Sequence, residues 1–428
     1  MALIFDYCLL KIKRKSSWNA RQFFDLRIFV RLNSDLSGMG DLMPLFDLTE
    51  FFKLSSALNY NLSAASLNRY NVLTYITDGK RLDGDDTLDR EKKSIVMESL
   101  GYLFSAYRQK RRYLGPMAVL HPLRAAALFT RTRDRLDLVE LLTLLFHDIL
   151  EDIKPGQFEV QEWMAMEEQL YGLLDRMAPE DESRLTENML SLTRLENESY
   201  YQYIGRLLEN AQNSPGIVEV KLADRLDNTL DLRIDLEDSL AGVDFFENIF
   251  QIMFVNNYQG YRPRREHAPA TAINGAKRLY QLFKNAVLLS LIRRHAPDTG
   301  QQSPKLLFDA VSEAGLNEAQ RTLIHLISYH VKDVATQRGL ILEAMQYCYS
   351  GRSSLVTKPD GSQLLDGLFS TYFGQKSSRL RRRQLDILYQ NKNLMLEATV
   401  AFIVIFLSFL NDPKYYIEGI SAEGIEPR

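Results

Sequence analysis

The sequence predicts an all-α protein: a central helical bundle flanked by additional, mostly helical N- and C-terminal regions. Three observations carry this. Apolar residues recur every three or four positions through long stretches, the spacing that gathers them on one face of a helix. Strand-like alternation is scarce, with 24–32 the main candidate for extended chain. Short polar stretches bearing glycine or proline break the periodic segments at intervals.

The elements follow in order. The chain starts MALIFDYCLLKIKRK. A secretory leader would put its positive charge ahead of its apolar run; here the order is reversed and Asp6 interrupts the run. Residues 78–92 are charged and nearly free of apolar side chains, which predicts a linker or exposed turn and closes a first region, 1–92, of no assigned role. Helical periodicity then marks 94–109, 136–153 and 217–232, inside a second region at 93–259. Loops are expected at 259–271, 297–305 and 357–363, within a helical C-terminal region at 260–428. The most apolar stretch, 398–410, would span about 20 Å as a helix against a hydrocarbon core of roughly 30 Å. With Glu397 at one end and Asn411, Asp412 and Pro413 at the other, it reads as a buried core helix.

Composition narrows the function classes. The 428 residues are 46% hydrophobic and 25% charged, values of an ordinary globular chain rather than a disordered, fibrous or polytopic membrane one. A net charge of −3 gives no general attraction to nucleic acid, and no specific nucleic-acid or membrane partner is expected. The two cysteines, Cys8 and Cys348, make neither a disulfide framework nor a thiolate zinc site, so a reducing cytoplasm is the expected location.

Chemistry concentrates in the middle. The run LLTLLFHDILEDI sets His147, Asp148, Glu151 and Asp152 between apolar residues. On one continuous helix His147 would share a face with Glu151, and Asp148 with Asp152. Such a stripe is either a solvated face or a cluster facing inward, where carboxylates need a compensating cation. Two further features favour the cation. His121-Pro122 opens the preceding helix, and VKLADRLDN brings Asp224 on a later one. Two imidazoles and two carboxylates from three helices suit an open site for manganese, iron or magnesium better than a closed zinc site.

His121, His147-Asp148 and Asp224 stand in the H…HD…D order of the HD-domain metal-dependent phosphohydrolases. The additional Glu151-Asp152, the run KLADRLDN, the segment LTRLENESYYQYIGRLLEN at 192–210, and Arg112 and Gly115 ahead of His121 together resemble the hydrolase domain of the RelA/SpoT family and its small alarmone hydrolases, over about residues 96–235. The resemblance implies an HD-domain helical bundle, a bound Mn2+ or another divalent cation such as Fe2+ or Mg2+, and removal of pyrophosphate from (p)ppGpp to leave GDP or GTP. The chain departs from the family at several points. Pro116, Met117, Ala118 and Val119 replace Glu-Pro-Tyr-Ile, Tyr113 replaces a lysine, Asp227 stands where LHN has its histidine, and Asp231 replaces a threonine. The stretch between the His-Asp pair and Asp224 is longer than in the family.

On this reading His121, His147, Asp148 and Asp224 hold the metal. Glu151 and Asp152 orient or deprotonate the attacking water or protonate the leaving oxygen. Arg112, with a guanidinium suited to phosphate or base, and Asn228 and Arg225, close to Asp224, are candidates for substrate binding, although Arg225 could instead pair with a carboxylate of the helix bearing His147. The expected partner is a phosphorylated nucleotide. The alternatives are hydrolysis of another nucleotide, or a non-catalytic HD-fold sensor or scaffold. The flanks are expected to pack on the central bundle, where they gate its cleft or form a homo-oligomer interface.

Overall fold

The computed structural model describes residues 48–63, 68–108, 110, 117–195, 198–214, 216–231, 276–295, 302–350, 377–411, 420–421 and 424–425. The expected extended stretch at 24–32 and the loops at 259–271 and 357–363 lie outside these residues, as does Arg112.

The described chain is all-α apart from one two-residue pair of strands. Its helices are α1 (Leu48–Ser63), α2 (Arg69–Thr77), α3 (Asp86–Ala106), α4 (Leu120–Thr130), α5 (Leu138–Phe146), α6 (Ile149–Asp152), α7 (Val160–Leu174), α8 (Pro179–Leu192), α9 (Tyr200–Asn210) and α10 (Gly216–Leu230). They continue with α11 (Ala276–His295), α12 (Gln302–His330), α13 (Val334–Ser350), α14 (Ser378–Gln390) and α15 (Lys392–Asn411). The strands, Ile420–Ser421 and Gly424–Ile425, pair antiparallel near the C-terminus.

Helix α4 is the axis of the bundle. Every residue from Leu120 to Thr130 is buried, because α1, α2, α5 and α10 surround it. Its alanines at 125, 126 and 127 let these neighbours approach closely. Helix α10 packs on α4 with one face and on α11 and α12 with the other. Two of the C-terminal helices, α11 and α12, therefore build directly onto the helix that carries Asp224. Leu282 and Phe283 are buried there, as the apolar pattern predicts, and Phe283 meets Phe402 of α15 edge to face at 5.6 Å. The apolar stretch at 398–410 lies within α15 as a core helix, with Val400, Phe402, Ile403 and Val404 buried. No helix among the described residues is long and apolar enough to cross a membrane.

Three expectations need correction. The charged stretch 78–92 is a turn only as far as Gly84; Asp85 caps α3, its carboxylate accepting from the amides of Thr87 and Leu88, and the rest is helix. Asp86 and Asp89 in the first turn of α3 suit the positive end of the helix dipole. The loop expected at 297–305 gives way to helix by Gln302. Most consequential, 136–153 is not one helix: α5 stops at Phe146 and α6 restarts after a turn at His147 and Asp148.

Candidate metal centre

That break is what lets two adjacent residues aim at one point. Successive side chains on a continuous helix diverge by about 100°. Here Asp148 adopts φ −102°, ψ −4°, and its carbonyl accepts from the amides of Glu151 and Asp152, at 3.1 and 2.8 Å, to start the new turn. The His147 ring turns back onto its own helix, with Nδ1 2.7 Å from the carbonyl oxygen of Leu144. A carbonyl only accepts, so Nδ1 carries the proton and Nε2 faces outward with its lone pair.

His121, at the start of α4, is oriented in the same way by a different partner. Its Nδ1 lies 2.6 Å from Oδ2 of Asp227, a buried carboxylate on α10. Its Nε2 then meets the Nε2 of His147 at 3.1 Å. Asp224 and Asp148 complete the set. His121 Nε2 is 3.1 Å from Asp224 Oδ1 and 3.3 Å from Asp148 Oδ2, while His147 Nε2 is 3.7 and 3.3 Å from the same two atoms. Donors held about 2.0–2.3 Å from a shared cation sit about 2.8–3.8 Å from one another at octahedral to tetrahedral angles. The two imidazoles meet that requirement with each other and with either carboxylate, whereas Asp148 falls outside the group of three whose donor atoms all lie within 4.8 Å of one another. Among the described residues, His121, His147 and Asp224 are buried and close enough to hold an ion together. The Asp148 side chain keeps 31% of its exposure and marks the side from which solvent reaches the centre.

Four lone-pair atoms this close repel unless something positive joins them. Burial opposes a charge on His147, but the carboxylates of Asp148 and Asp224 outweigh it and hold the imidazolium well above its ordinary range. Burial likewise opposes ionisation of Asp224, yet Lys221, whose Nζ is 2.7 Å from Oδ2, and the two histidines keep its carboxyl well below the usual range.

The remaining predicted residues divide. Asn228 does sit beside the centre, but its Nδ2 donates to Asp224 Oδ1 at 2.5 Å and so braces a ligand. Arg225, expected at the substrate or paired with a carboxylate of the His147 helix, faces the other way. Its guanidinium donates to Asn285 Oδ1 at 2.8 Å and to the Gln281 side chain and carbonyl at 2.8 and 2.9 Å, all on α11. The reason is helical phase: one position past Asp224, a side chain points about 100° away from it. Glu151 is exposed and accepts from the Arg194 amide at 2.7 Å. Asp152 accepts from Lys110 at 2.5 Å and from the Tyr107 hydroxyl at 3.2 Å. Both carboxylates thus hold neighbouring chain, Glu151 at Arg194 and Asp152 at Lys110 and Tyr107.

Neither a family model, nor a curated protein, nor a solved structure matches this chain.

Two residues with a part in the site escaped the sequence reading. Asp227 stands one turn from Asp224 and was legible only as a departure from a familiar run. Arg124, one turn beyond His121, is fully buried; its Nε donates to Asp227 Oδ1 at 2.7 Å and its Nη2 to Asp227 Oδ2 at 3.1 Å. A single arginine in an otherwise apolar helix was the available signal.

Proposed function

We propose that this protein is a metal-dependent phosphohydrolase acting on a nucleoside pyrophosphate, with (p)ppGpp the substrate that its sequence resemblance implies and pyrophosphate and GDP or GTP the products. The convergence of two imidazole nitrogens and two carboxylate oxygens, open to solvent beside Asp148, carries the reading. A divalent cation bound there would supply an acidified water and polarise the phosphoryl oxygen under attack. The chain's own residues prepare the rest. Leu144 and Asp227 fix both histidine tautomers, and Asn228 and Lys221 hold the Asp224 carboxylate in place.

The surroundings suit an anionic substrate. Lys284 of α11 lies with its Nζ 5.6 Å from the centre of the Tyr200 ring. Burial, together with the neighbouring cations Arg225, Lys221 and Arg194, pushes its ammonium down to about 7. A phosphate group arriving beside Lys284 would relieve part of this repulsion. Lys110 pairs with Asp152 at 2.5 Å.

A nucleotide sensor on the same scaffold is favoured by one observation: Glu151 and Asp152, the carboxylates assigned to proton transfer, are both engaged in holding neighbouring chain. One assay separates the two. The purified chain with Mn2+ is offered (p)ppGpp and a panel of other nucleotides, and released pyrophosphate and phosphate are measured. Release of pyrophosphate from (p)ppGpp is the expected result. Binding of Mn2+ and nucleotide with no release from any of them would overturn the enzymatic reading and leave the sensor.

A further inference from the structure

The two histidines are oriented by unlike partners. His147 needs only the carbonyl of Leu144 to fix its tautomer. His121 is given a full carboxylate, Asp227, which is completely buried and has to be compensated by an equally buried arginine. Fixing a tautomer does not require that expense. Burying a charge pair costs several kcal/mol of desolvation, and apolar side chains of similar volume are often as stable or more so. Arg124 lies in a helix whose buried positions are mostly leucine, alanine and phenylalanine, so an apolar side chain is the locally easier choice.

The arginine is itself held from several sides. Its Nη1 donates to Ser55 Oγ of α1 at 3.1 Å, its Nη2 lies 3.1 Å from Asp231 Oδ2, and its guanidinium lies 4.8 Å over the ring of Phe51, also on α1. A chain of contacts thus runs from the N-terminal helix through Arg124 and Asp227 to the imidazole of His121. Asp227 and Asp231, the two positions where KLADRLDN and its continuation leave the family's pattern, both converge on Arg124.

We propose that Asp227 is a positioning residue for the metal: its charge, kept in place by Arg124, fixes the His121 ring and makes its Nε2 a stronger ligand than a carbonyl partner would. This rests on the reading of the four-donor cluster as a metal site. Carboxylate partners behind a metal-bound histidine raise the basicity of the ligand, and losing one costs about 10–100-fold in affinity.

The test is Mn2+ titration calorimetry on the full chain, comparing wild type with Asp227→Asn, each checked for helical content by circular dichroism. The asparagine keeps the shape but loses the charge. A loss of about 10–100-fold in Mn2+ affinity with helicity intact supports the proposal. Equal affinity in a folded variant overturns it. If wild type itself binds no divalent cation, the metal reading fails first, and the two failures are distinguishable. Should the variant not fold, nitrogen NMR of histidine in the Zn2+-loaded wild type decides. His121 protonated at Nδ1 and bound through Nε2 is the expected signature, and the opposite tautomer overturns the proposal.

Discussion

The chain has two acidic clusters within a few residues of one another, and they have opposite characters. His147 and Asp148 join a centre whose other members are buried and whose donor atoms lie within 3.7 Å of His147 or His121. Glu151 and Asp152, just beyond the break between α5 and α6, sit toward solvent and tie down the chain at Arg194 and Lys110. The same residue types serve two purposes because of one interruption in a helix. A buried carboxylate beside two imidazoles calls for a compensating positive charge. A carboxylate at the rim can hold a loop, move a proton, or do both.

Substitution sharpens that contrast. The largest effect is expected in the buried cluster. His147→Ala, Asp148→Ala and Asp224→Ala should each abolish Mn2+ binding, read by calorimetry, and hydrolysis with it; retention of metal within threefold of wild type by any of them would remove that residue from the ligand set. At the rim, Glu151→Gln keeps an oxygen to accept from the Arg194 amide but cannot take a proton. If Glu151 moves a proton, kcat should fall by about 10²–10⁴ with metal affinity unchanged. Lost metal would make Glu151 a ligand, and an unchanged kcat would make it a loop anchor.

Arg225 tests the boundary between site and scaffold. As the anchor of α10 on α11, its replacement by alanine leaves the buried Asn285 without its guanidinium donor and should cost about 2–4 kcal/mol in denaturant unfolding, with Mn2+ affinity of the folded protein unaltered. A variant of wild-type stability with raised KM would restore it to the substrate side.

The smallest effect concerns pH. Lys284, pushed down to about 7, is protonated in the unfolded chain at pH values where the folded protein leaves it neutral. Between about pH 7 and 10 the unfolded state therefore binds more protons, and this contribution to stability rises with pH. Lys284→Met should stabilise the protein by about 1–3 kcal/mol at pH 7 and by less at pH 10, at about 1.4 kcal/mol per pKa unit discounted for partial exposure. A gain independent of pH would show that packing, not charge, is responsible.

Much of the fold and the ligand set was legible in the sequence. Periodicity finds α10 to within two residues and the apolar parts of α3 and α15, whose polar first turns it leaves out, because each presents a long apolar face. His121, His147, Asp148 and Asp224 stood out because ionisable residues in apolar runs need a partner, and the structure brings them together. The break at His147 was not legible: the apolar pattern runs straight through LLTLLFHDIL, and only tertiary contacts bend it. Arg225 was misassigned because proximity in sequence to Asp224 says nothing about helical phase. Asp227 and Arg124 were missed because their meaning lies in a pairing between two helices far apart in the chain.

That separation has a consequence for how the protein comes into being. His121 and Asp227 are 106 residues apart, and the Asp224 helix is gripped in turn by Asn285, a further 60 residues beyond Arg225. No short stretch of the chain can assemble the centre by itself, and closing such long loops is paid in entropy before any contact rewards it. The centre therefore cannot assemble before the α10 segment has been made, because Asp224 and Asp227 both lie on it.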